Sequence, residues 1–183
     1  MSRLTVFLED NPADPQLVLE EGDDIRHYLA DMGVLFDRWD AGKCVEDGAS
    51  NAAILALYQP EIDSLVADKG YQSYDVISLA GSSGEVDVEP IRQKFLSEHT
   101  HLEDEVRYFV KGSGLFVLHV EGSVYQLLCE KNDLIGVPAG TRHWFDMGAT
   151  PCFTAIRFFN NPDGWEAHYT GSDIADIFPK MVN

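Results

Sequence analysis

The chain has 183 residues, 45% of them hydrophobic, which is enough to build one globular domain with a sizeable core. Its 31 acidic and 13 basic residues give a formal charge of −18 without any cluster of lysine and arginine, which argues against a nucleic-acid partner. The apolar runs are too short for a membrane helix or a secretory signal. We therefore expect a cytoplasmic protein with no membrane partner, and the high charge favours a monomer.

The three cysteines form an odd, widely spaced set without a Cys-x-x-Cys pair: Cys44, Cys129 and Cys152. In an intracellular chain, such a set predicts free thiols rather than a disulfide framework. Cys129 and Cys152 fall in apolar strand-like runs, so we expect both thiols to be buried and inert.

The first 97 residues mix helical and extended patterns. Strands are predicted at 5–7, 35–39 and 74–79, and helices at 23–31, 52–69 and 90–96. Gly33 and Gly70 end the first two helices, and Pro60 is a break point within the second. A polar loop is predicted at 80–88. We expect residues 1–97 to wrap one sheet rather than to fold alone.

The pattern changes at Glu105, after which short apolar runs recur between glycines and other turn residues. Such spacing predicts an antiparallel barrel or sandwich with its core in residues 98–160. A turn at 161–164 and a short helix at 173–177 form a C-terminal tail, residues 161–183. No linker separates two domains. The predicted barrel strands are Glu105–Val110, Leu115–Val120, Val124–Cys129, Leu134–Val137, His143–Met147 and Phe153–Phe159.

Two histidines and an acid at the start of the barrel have the spacing of metal ligands. In an extended chain His99 and His101 point to one face, with Cα atoms about 6.6 Å apart. Two imidazole nitrogens can then bind one ion at about 2.0–2.1 Å. Glu105 lies roughly 13 Å further along a straight chain, so residues 102–104 must bend for it to reach the same ion. The remaining histidines lack such neighbours, and we interpret them as structural or surface residues: His27, His119 and His168.

A second pattern, Pro-x-Gly-x-x-His, ends at His143. An earlier pattern covers residues 99–112: His-x-His is followed after three residues by Glu, and after six more by Gly. The two patterns together resemble the two cupin motifs. Asn132 and Met147 depart from the motif, but neither position is a ligand. The resemblance implies a mainly β, single-domain fold with flanking helices: a cupin-type antiparallel β-barrel (jelly roll).

A closer resemblance covers residues 70–165, where the runs 70–79, 94–101, 105–110, 128–135, 143–148 and 154–160 are similar to the acireductone dioxygenase family. The ends of the chain match loosely. The family resemblance implies that one metal ion is held by His99, His101, Glu105 and His143. It also implies that the residues near the substrate are Phe95, Arg107, Phe145, Arg157 and Trp165.

The same resemblance implies an oxidoreductase of methionine salvage that cleaves acireductone with O2. With Fe2+ the implied products are formate and a 2-keto acid. With Ni2+ they are formate, carbon monoxide and a carboxylic acid. The ligand residues are the same for both ions, so the sequence leaves the metal open.

The ligand types are compatible with this chemistry. Three neutral imidazoles and one carboxylate suit iron, nickel, cobalt or manganese, and six-coordination leaves two adjacent positions for an enediolate. Strand alternation from Glu105 puts Arg107 on the ligand face, where its charge can stabilise a substrate oxyanion. The alternative for Arg107 is an outer face or a structural ion pair. Phe145 shares a face with His143, either as a pocket wall or as core packing.

Two other functions fit the motifs. One is a different cupin dioxygenase or isomerase for a small oxygenated substrate, and the other is a non-catalytic ligand-binding cupin, because a barrel alone does not imply catalysis. All four ligand positions are filled and no basic helix is present, which favours an enzyme.

Overall fold

The computed structural model describes residues 1–79, 89–161 and 165–182, so the predicted loop at 80–88 and most of the turn at 161–164 lie outside the described residues. None of the described helices is long and apolar enough to cross a membrane. The strands are β1 (Arg3–Leu8), β2 (Leu17–Leu19), β3 (Leu35–Arg38), β4 (Ser73–Leu79), β5 (His99–Thr100), β6 (Glu105–Val120), β7 (Ser123–Glu130), β8 (Asp133–Val137), β9 (Arg142–Asp146), β10 (Phe153–Phe159) and β11 (His168–Tyr169). The helices are α1 (Gly22–Ala30), α2 (Asn51–Leu57), α3 (Gln59–Lys69), α4 (Glu89–Leu96) and α5 (Ile174–Ile177).

The strands form two antiparallel sheets joined through the long strand β6. In the first sheet the order is β11-β5-β9-β6-β7-β1-β2. In the second sheet the order is β3-β8-β6-β10-β4. The first half of β6 pairs with β8 and β10, and its second half pairs with β7 and β9. The mainly β, single-domain cupin fold predicted from the motifs is confirmed.

The two predicted strands at 105–110 and 115–120 are one continuous strand that passes from sheet to sheet at Gly112. Gly112 has φ +67°, and a Cβ atom there would lie 1.7 Å from the carbonyl oxygen of Cys152. Only glycine combines this conformation with so close a backbone approach. The glycine that resembled a turn in the sequence is therefore the bend that joins the sheets.

A β-bulge beside this bend shifts the alternation of side chains by one residue. Thr154 pairs with Lys111 but Ala155 pairs with Phe109, so Val110 has no partner across the strands. Before the bulge, odd-numbered residues of β6 point into the barrel. After it, even-numbered residues do so. Both halves of β6 thus present apolar side chains to one interior.

The core lies between the two sheets and includes apolar residues of α1 and α4. Phe36, Phe109, Phe116, Phe145 and Phe153 pack in the interior. Helices α2 and α3 pack on the outer face of the second sheet, and α5 packs on the outer face of the first, against Trp144. Phe145 points into the interior while Trp144 points outwards, as the alternation predicted from His143 requires.

The predicted break of the long helix is confirmed: α2 and α3 are separated at Tyr58, and Pro60 lies in the first turn of α3, where its missing N–H costs no hydrogen bond. Local predictions differ from the structure at two places. Three strands, β2, β5 and β11, are too short for a sequence pattern to detect. All three cysteines are free, but Cys152 is exposed rather than buried, since it precedes β10 and points away from the core.

Candidate metal centre

Four buried side chains converge at one end of the barrel interior. His99 lies on β5, Glu105 begins β6 and His143 lies on β9, while His101 follows β5 directly. Each offers one ligand atom, and these atoms lie within 4.8 Å of one another. His99 and His143 are directly paired across β5 and β9. The structure therefore brings together all four ligands predicted from the sequence.

The bend that delivers Glu105 lies at residues 102–103, within the predicted segment. The turn before His143 holds this bend in place. Gly140 N donates to the His101 carbonyl at 2.8 Å, and Ala139 N donates to Asp104 Oδ1 at 2.9 Å. Hydrogen bonds between the two motif segments thus hold both backbones in place. Asp104 is exposed, whereas Glu103 is only partly exposed.

The three imidazole rings have their Nδ1 atoms engaged by the backbone. The acceptors for His99, His101 and His143 are the carbonyl oxygens of Ser97, Glu166 and Thr141, at 2.7, 2.7 and 2.8 Å respectively. A carbonyl oxygen only accepts, so Nδ1 carries the proton and Nε2 is left as a lone-pair donor. Backbone hydrogen bonds of this kind orient histidines that bind metals.

The Nε2 lone pairs face a carboxylate at close range. Glu105 Oε2 lies 2.9 Å from His101 Nε2 and 3.1 Å from His143 Nε2. The Nε2 nitrogens and the carboxylate oxygen would repel each other at these distances, because both present lone pairs. A positive charge between them, either a proton or a metal ion, removes this repulsion. This arrangement fits a divalent cation coordinated by three imidazoles and one carboxylate.

The pKa shifts of His99 and Glu105 agree with this fit, whereas burial of His101 is outweighed by its hydrogen bond and its charge interaction with Glu105, which raise the pKa of His101. Burial and the neighbouring His143 lower the pKa of His99 to about 4, so its ring is neutral near pH 7. Burial by itself would raise the pKa of Glu105, but the Arg107 charge and the contacts with His101 and His143 hold it well below its ordinary value. The site therefore combines an ionised carboxylate with a neutral imidazole ligand.

Three of the four ligands line a cavity of about 520 Å³ that is also lined by aromatic and basic side chains. Four of its basic and acidic residues are Lys94, Arg107, Arg157 and Asp75. Its aromatic lining includes Phe95, Phe145, Phe159, Trp165 and Tyr169. All five residues that the family resemblance placed near the substrate thus line one cavity with His99, His101 and Glu105.

Arg107 is buried beside the carboxylate ligand. Its Nη2 lies 2.7 Å from Glu105 Oε1, and its Cζ lies 4.6 Å from the centre of the Phe145 ring and 5.7 Å from that of Trp165. Nε has no hydrogen-bond partner among the described residues. The inward orientation predicted from strand alternation is confirmed, and the guanidinium keeps a free N–H donor within the cavity wall.

Arg157 faces Arg107 across the paired strands β10 and β6. Asp75 binds its guanidinium through two hydrogen bonds of 2.7 and 2.5 Å, and its Cζ lies 5.6 Å from the Trp165 ring. Asp75 thus holds one of the two cavity arginines in a fixed position. Sequence reasoning missed Asp75 and Lys94, although both lie in runs that resemble the family.

Comparisons with known proteins agree with this geometry. The model of the ARD/ARD' family matches residues 23–167. The chain is 55% identical to acireductone dioxygenase 2 of Pectobacterium atrosepticum and 54% identical to the acireductone dioxygenase of Serratia proteamaculans, over 99% of each chain. Among solved structures, it is similar to the acireductone dioxygenase from Bacillus anthracis with a cadmium ion in its active centre. The TM-score is 0.78 at 29% identity, covering 92% of this chain and 98% of that one. With its full-length relatives and the converging His99, His101, Glu105 and His143, this chain belongs to the ARD/ARD' family.

Proposed function

We propose that the chain is an acireductone dioxygenase, which cleaves this small enediol substrate with O2. The observation that carries the proposal is the convergence of four metal ligands beside a cavity that Arg107 also lines, in a chain 55% identical to an acireductone dioxygenase over 99% of both sequences. A divalent ion held by the four ligands would act as a Lewis acid towards two adjacent oxygens of the substrate.

Within this proposal, Arg107 is the catalytic residue that stabilises the substrate's negative charge. Its guanidinium is buried beside Glu105 and retains a free N–H, so its charge acts in a water-poor environment. Arg157, held by Asp75, binds the substrate from the opposite strand. Phe95, Phe145 and Trp165 form the apolar wall that excludes water and receives the alkylthio tail.

The finer assignments extend the proposal. We infer that the resident ion is Fe2+ or Ni2+, since three imidazoles and one carboxylate suit both. With iron, the products are formate and 2-keto-4-methylthiobutanoate. With nickel, they are formate, carbon monoxide and 3-methylthiopropanoate. The reaction belongs to methionine salvage.

Oxygen uptake by metal-stripped protein tests the proposal. Acireductone is added after reconstitution with Fe2+ or Ni2+ separately, and the products are identified in each case. Uptake with both ions and a change of products between them is the expected result. The matched His101→Ala variant is expected to bind neither ion stoichiometrically. Stoichiometric metal binding by the wild type without uptake would reject acireductone as the substrate.

We also propose a cytoplasmic monomer that binds neither nucleic acid nor membranes. The formal charge of −18 supports this, because it repels polyanions and disfavours self-association. Light scattering coupled to size-exclusion chromatography is expected to give a mass near the 20.4 kDa of one chain. A mass twice as large would contradict the monomer.

A further inference from the structure

His119 lies on the face of the first sheet that is turned away from the metal ligands. Within β6 it follows Leu115 and Val117, which pack on the outer face with α5, whereas Leu118 points into the barrel. The side chain is only 5% exposed. A polar group so deeply buried requires hydrogen-bond partners, and the sequence pattern around His119 indicates none.

Two carboxylates flank the His119 ring. Nδ1 lies 2.6 Å from Glu98 Oε1, and Nε2 lies 2.7 Å from Glu9 Oε2. Glu9 is half exposed, but Glu98 is almost completely buried. Both ring nitrogens are therefore used, and His119 connects the end of β1 to the residue that precedes β5.

Thr170 completes the environment of Glu98. Its hydroxyl donates to Glu98 Oε2 at 2.5 Å, and its backbone N–H donates to the Glu98 carbonyl oxygen at 3.1 Å. With His119 on the other carboxylate oxygen, Glu98 is fixed from two sides. Removing either partner would leave a buried carboxylate oxygen without its hydrogen bond, which is costly.

Glu98 is directly followed by the metal ligand His99. Neighbouring residues of an extended chain point to opposite faces, so the Glu98 side chain points away from the metal while His99 points towards it. Strand β5 contains two residues, which pair with β9 only through His99 and His143 and with the equally short β11 through two residue pairs. A strand this short has few backbone bonds to fix its orientation.

We propose that His119 is a positioning residue for the metal site: by binding Glu98 from behind β5, together with Thr170, it aims His99 Nε2 at the metal ion. The inference deepens the proposed function, because it concerns the metal site on which that function rests. It predicts that substitutions on the outer face of the sheet change metal binding without touching a ligand.

Co2+ binding to the metal-stripped protein tests this role without the substrate. The main variant is His119→Gln, whose amide cannot bind both carboxylates across the width of a ring. Competition with a chromophoric chelator gives the dissociation constant for Co2+, and the visible spectrum of bound Co2+ reports the ligand geometry. We expect binding about 10–100-fold weaker than in the wild type, the usual effect of removing an outer hydrogen-bond partner, with an altered Co2+ spectrum.

A gentler pair of variants covers the case in which His119→Gln fails to fold. Thr170→Val removes the hydroxyl with little change of shape, and Thr170→Ser retains it. We expect Thr170→Val to weaken Co2+ binding and Thr170→Ser to restore it. His27→Gln, at an exposed site on α1, is the matched histidine control and is expected to behave as the wild type.

Two outcomes would overturn the inference. One is a folded His119→Gln protein with wild-type Co2+ affinity and spectrum, even if its melting temperature is lower, since that result describes a purely structural residue. The other is equal Co2+ affinity in Thr170→Val and Thr170→Ser. A wild-type protein that binds Co2+ but, with Fe2+ or Ni2+, consumes no oxygen on acireductone counts against the proposed function alone.

Discussion

Arg107 shows how one buried charge can serve a site without binding the metal. Its guanidinium contacts the Glu105 carboxylate at 2.7 Å and lies against the Phe145 ring. The ion pair is buried, so solvent screens it weakly and the electrostatic field of the guanidinium reaches into the cavity. Glu105 has two other neighbours in His101 and His143, so the carboxylate remains oriented when Arg107 is replaced.

Replacing Arg107 by methionine is therefore expected to separate metal binding from turnover. Arg107→Met should retain stoichiometric metal and lose about 10²–10³-fold in kcat, the usual effect of removing one electrostatic contact to a developing charge. Metal content and steady-state oxygen uptake measure the two effects. Arg26→Met, on the exposed surface of α1, is the control. Full activity in Arg107→Met would contradict the proposed role.

Asp133 is a second buried charge, placed for structure rather than chemistry. Its Oδ2 accepts hydrogen bonds from Ser2 Oγ and Glu130 N, at 2.5 and 2.8 Å. Burial raises the pKa of Asp133 above its ordinary value, although these bonds and the nearby Arg38 oppose the shift. The carboxyl group thus binds a proton more tightly in the folded chain than in the unfolded one.

The sign of this shift predicts a pH dependence. A raised pKa in the folded state stabilises the fold at low pH, and that contribution is lost as pH rises from the unfolded pKa through the folded one. Asp133→Asn should therefore gain stability relative to the wild type as the pH rises above about 4, the unfolded pKa of an aspartate. Urea unfolding of both metal-free proteins measures the difference, with the exposed Asp10→Asn as control. A difference that falls with pH would contradict this assignment.

Strand β6 is the element on which the site depends. It contributes Glu105 and Arg107 in its first half and pairs with the strand of His143 in its second. The bend at Gly112 and the bulge at Val110 allow one strand to serve both sheets.

Helix α4 is joined to the first sheet because Arg92 binds Asp146 of β9 through two hydrogen bonds of 2.9 and 3.1 Å. This ion pair holds the cavity residue Phe95, on α4, next to β9.

Gly112→Ala tests the importance of the bend. The added Cβ meets the Cys152 carbonyl and the backbone keeps a positive φ, so we expect a loss of roughly 2–6 kcal/mol in unfolding free energy from strain and overpacking together. Gly42→Ala is the matched control, because its φ is +62° but no atom lies within 4 Å of the added Cβ. It should lose only about 1–2 kcal/mol from backbone strain. Equal losses in the two variants, measured by denaturant unfolding, would contradict the close approach at Gly112.

At the scale of the whole molecule, metal binding and folding are coupled. The four ligands come from β5, the segment after it, β6 and β9, and they meet only when the two sheets are assembled around β6. An ion that binds the folded state but not the unfolded one stabilises the fold by mass action. The metal site is therefore a link between neighbouring strands as well as a candidate catalytic centre.

Removal of the metal should lower the thermal stability of the protein. At a free metal concentration about 100 times Kd, the bound ion contributes about 2.7 kcal/mol, and a chelator removes this contribution. Differential scanning calorimetry with and without chelator measures the change. His101→Ala is the control and should melt at nearly the same temperature in both conditions. A melting temperature of the wild type that ignores the chelator would contradict the coupling.

The sequence by itself determined the first part of the ligand set. His99, His101 and Glu105 are readable because ligand spacing is a local property of the chain, as is the strand alternation that points Arg107 inwards. The resemblance to the cupin motifs added His143 and the class of fold. The family resemblance added residues such as Phe95 and Trp165, which no periodicity indicates. The free cysteines and the helix break ahead of Pro60 also followed from local chemistry.

Only the tertiary structure decided the features that depend on contacts between distant segments. The continuity of β6 through Gly112 depends on the backbone of Cys152, which is 40 residues away in the chain. The burial of His119 between Glu98 and Glu9 depends on which strands become neighbours. Sequence patterns report the environment of a residue only through its nearest neighbours, whereas hydrogen-bond partners and close backbone approaches are set by how the sheets assemble.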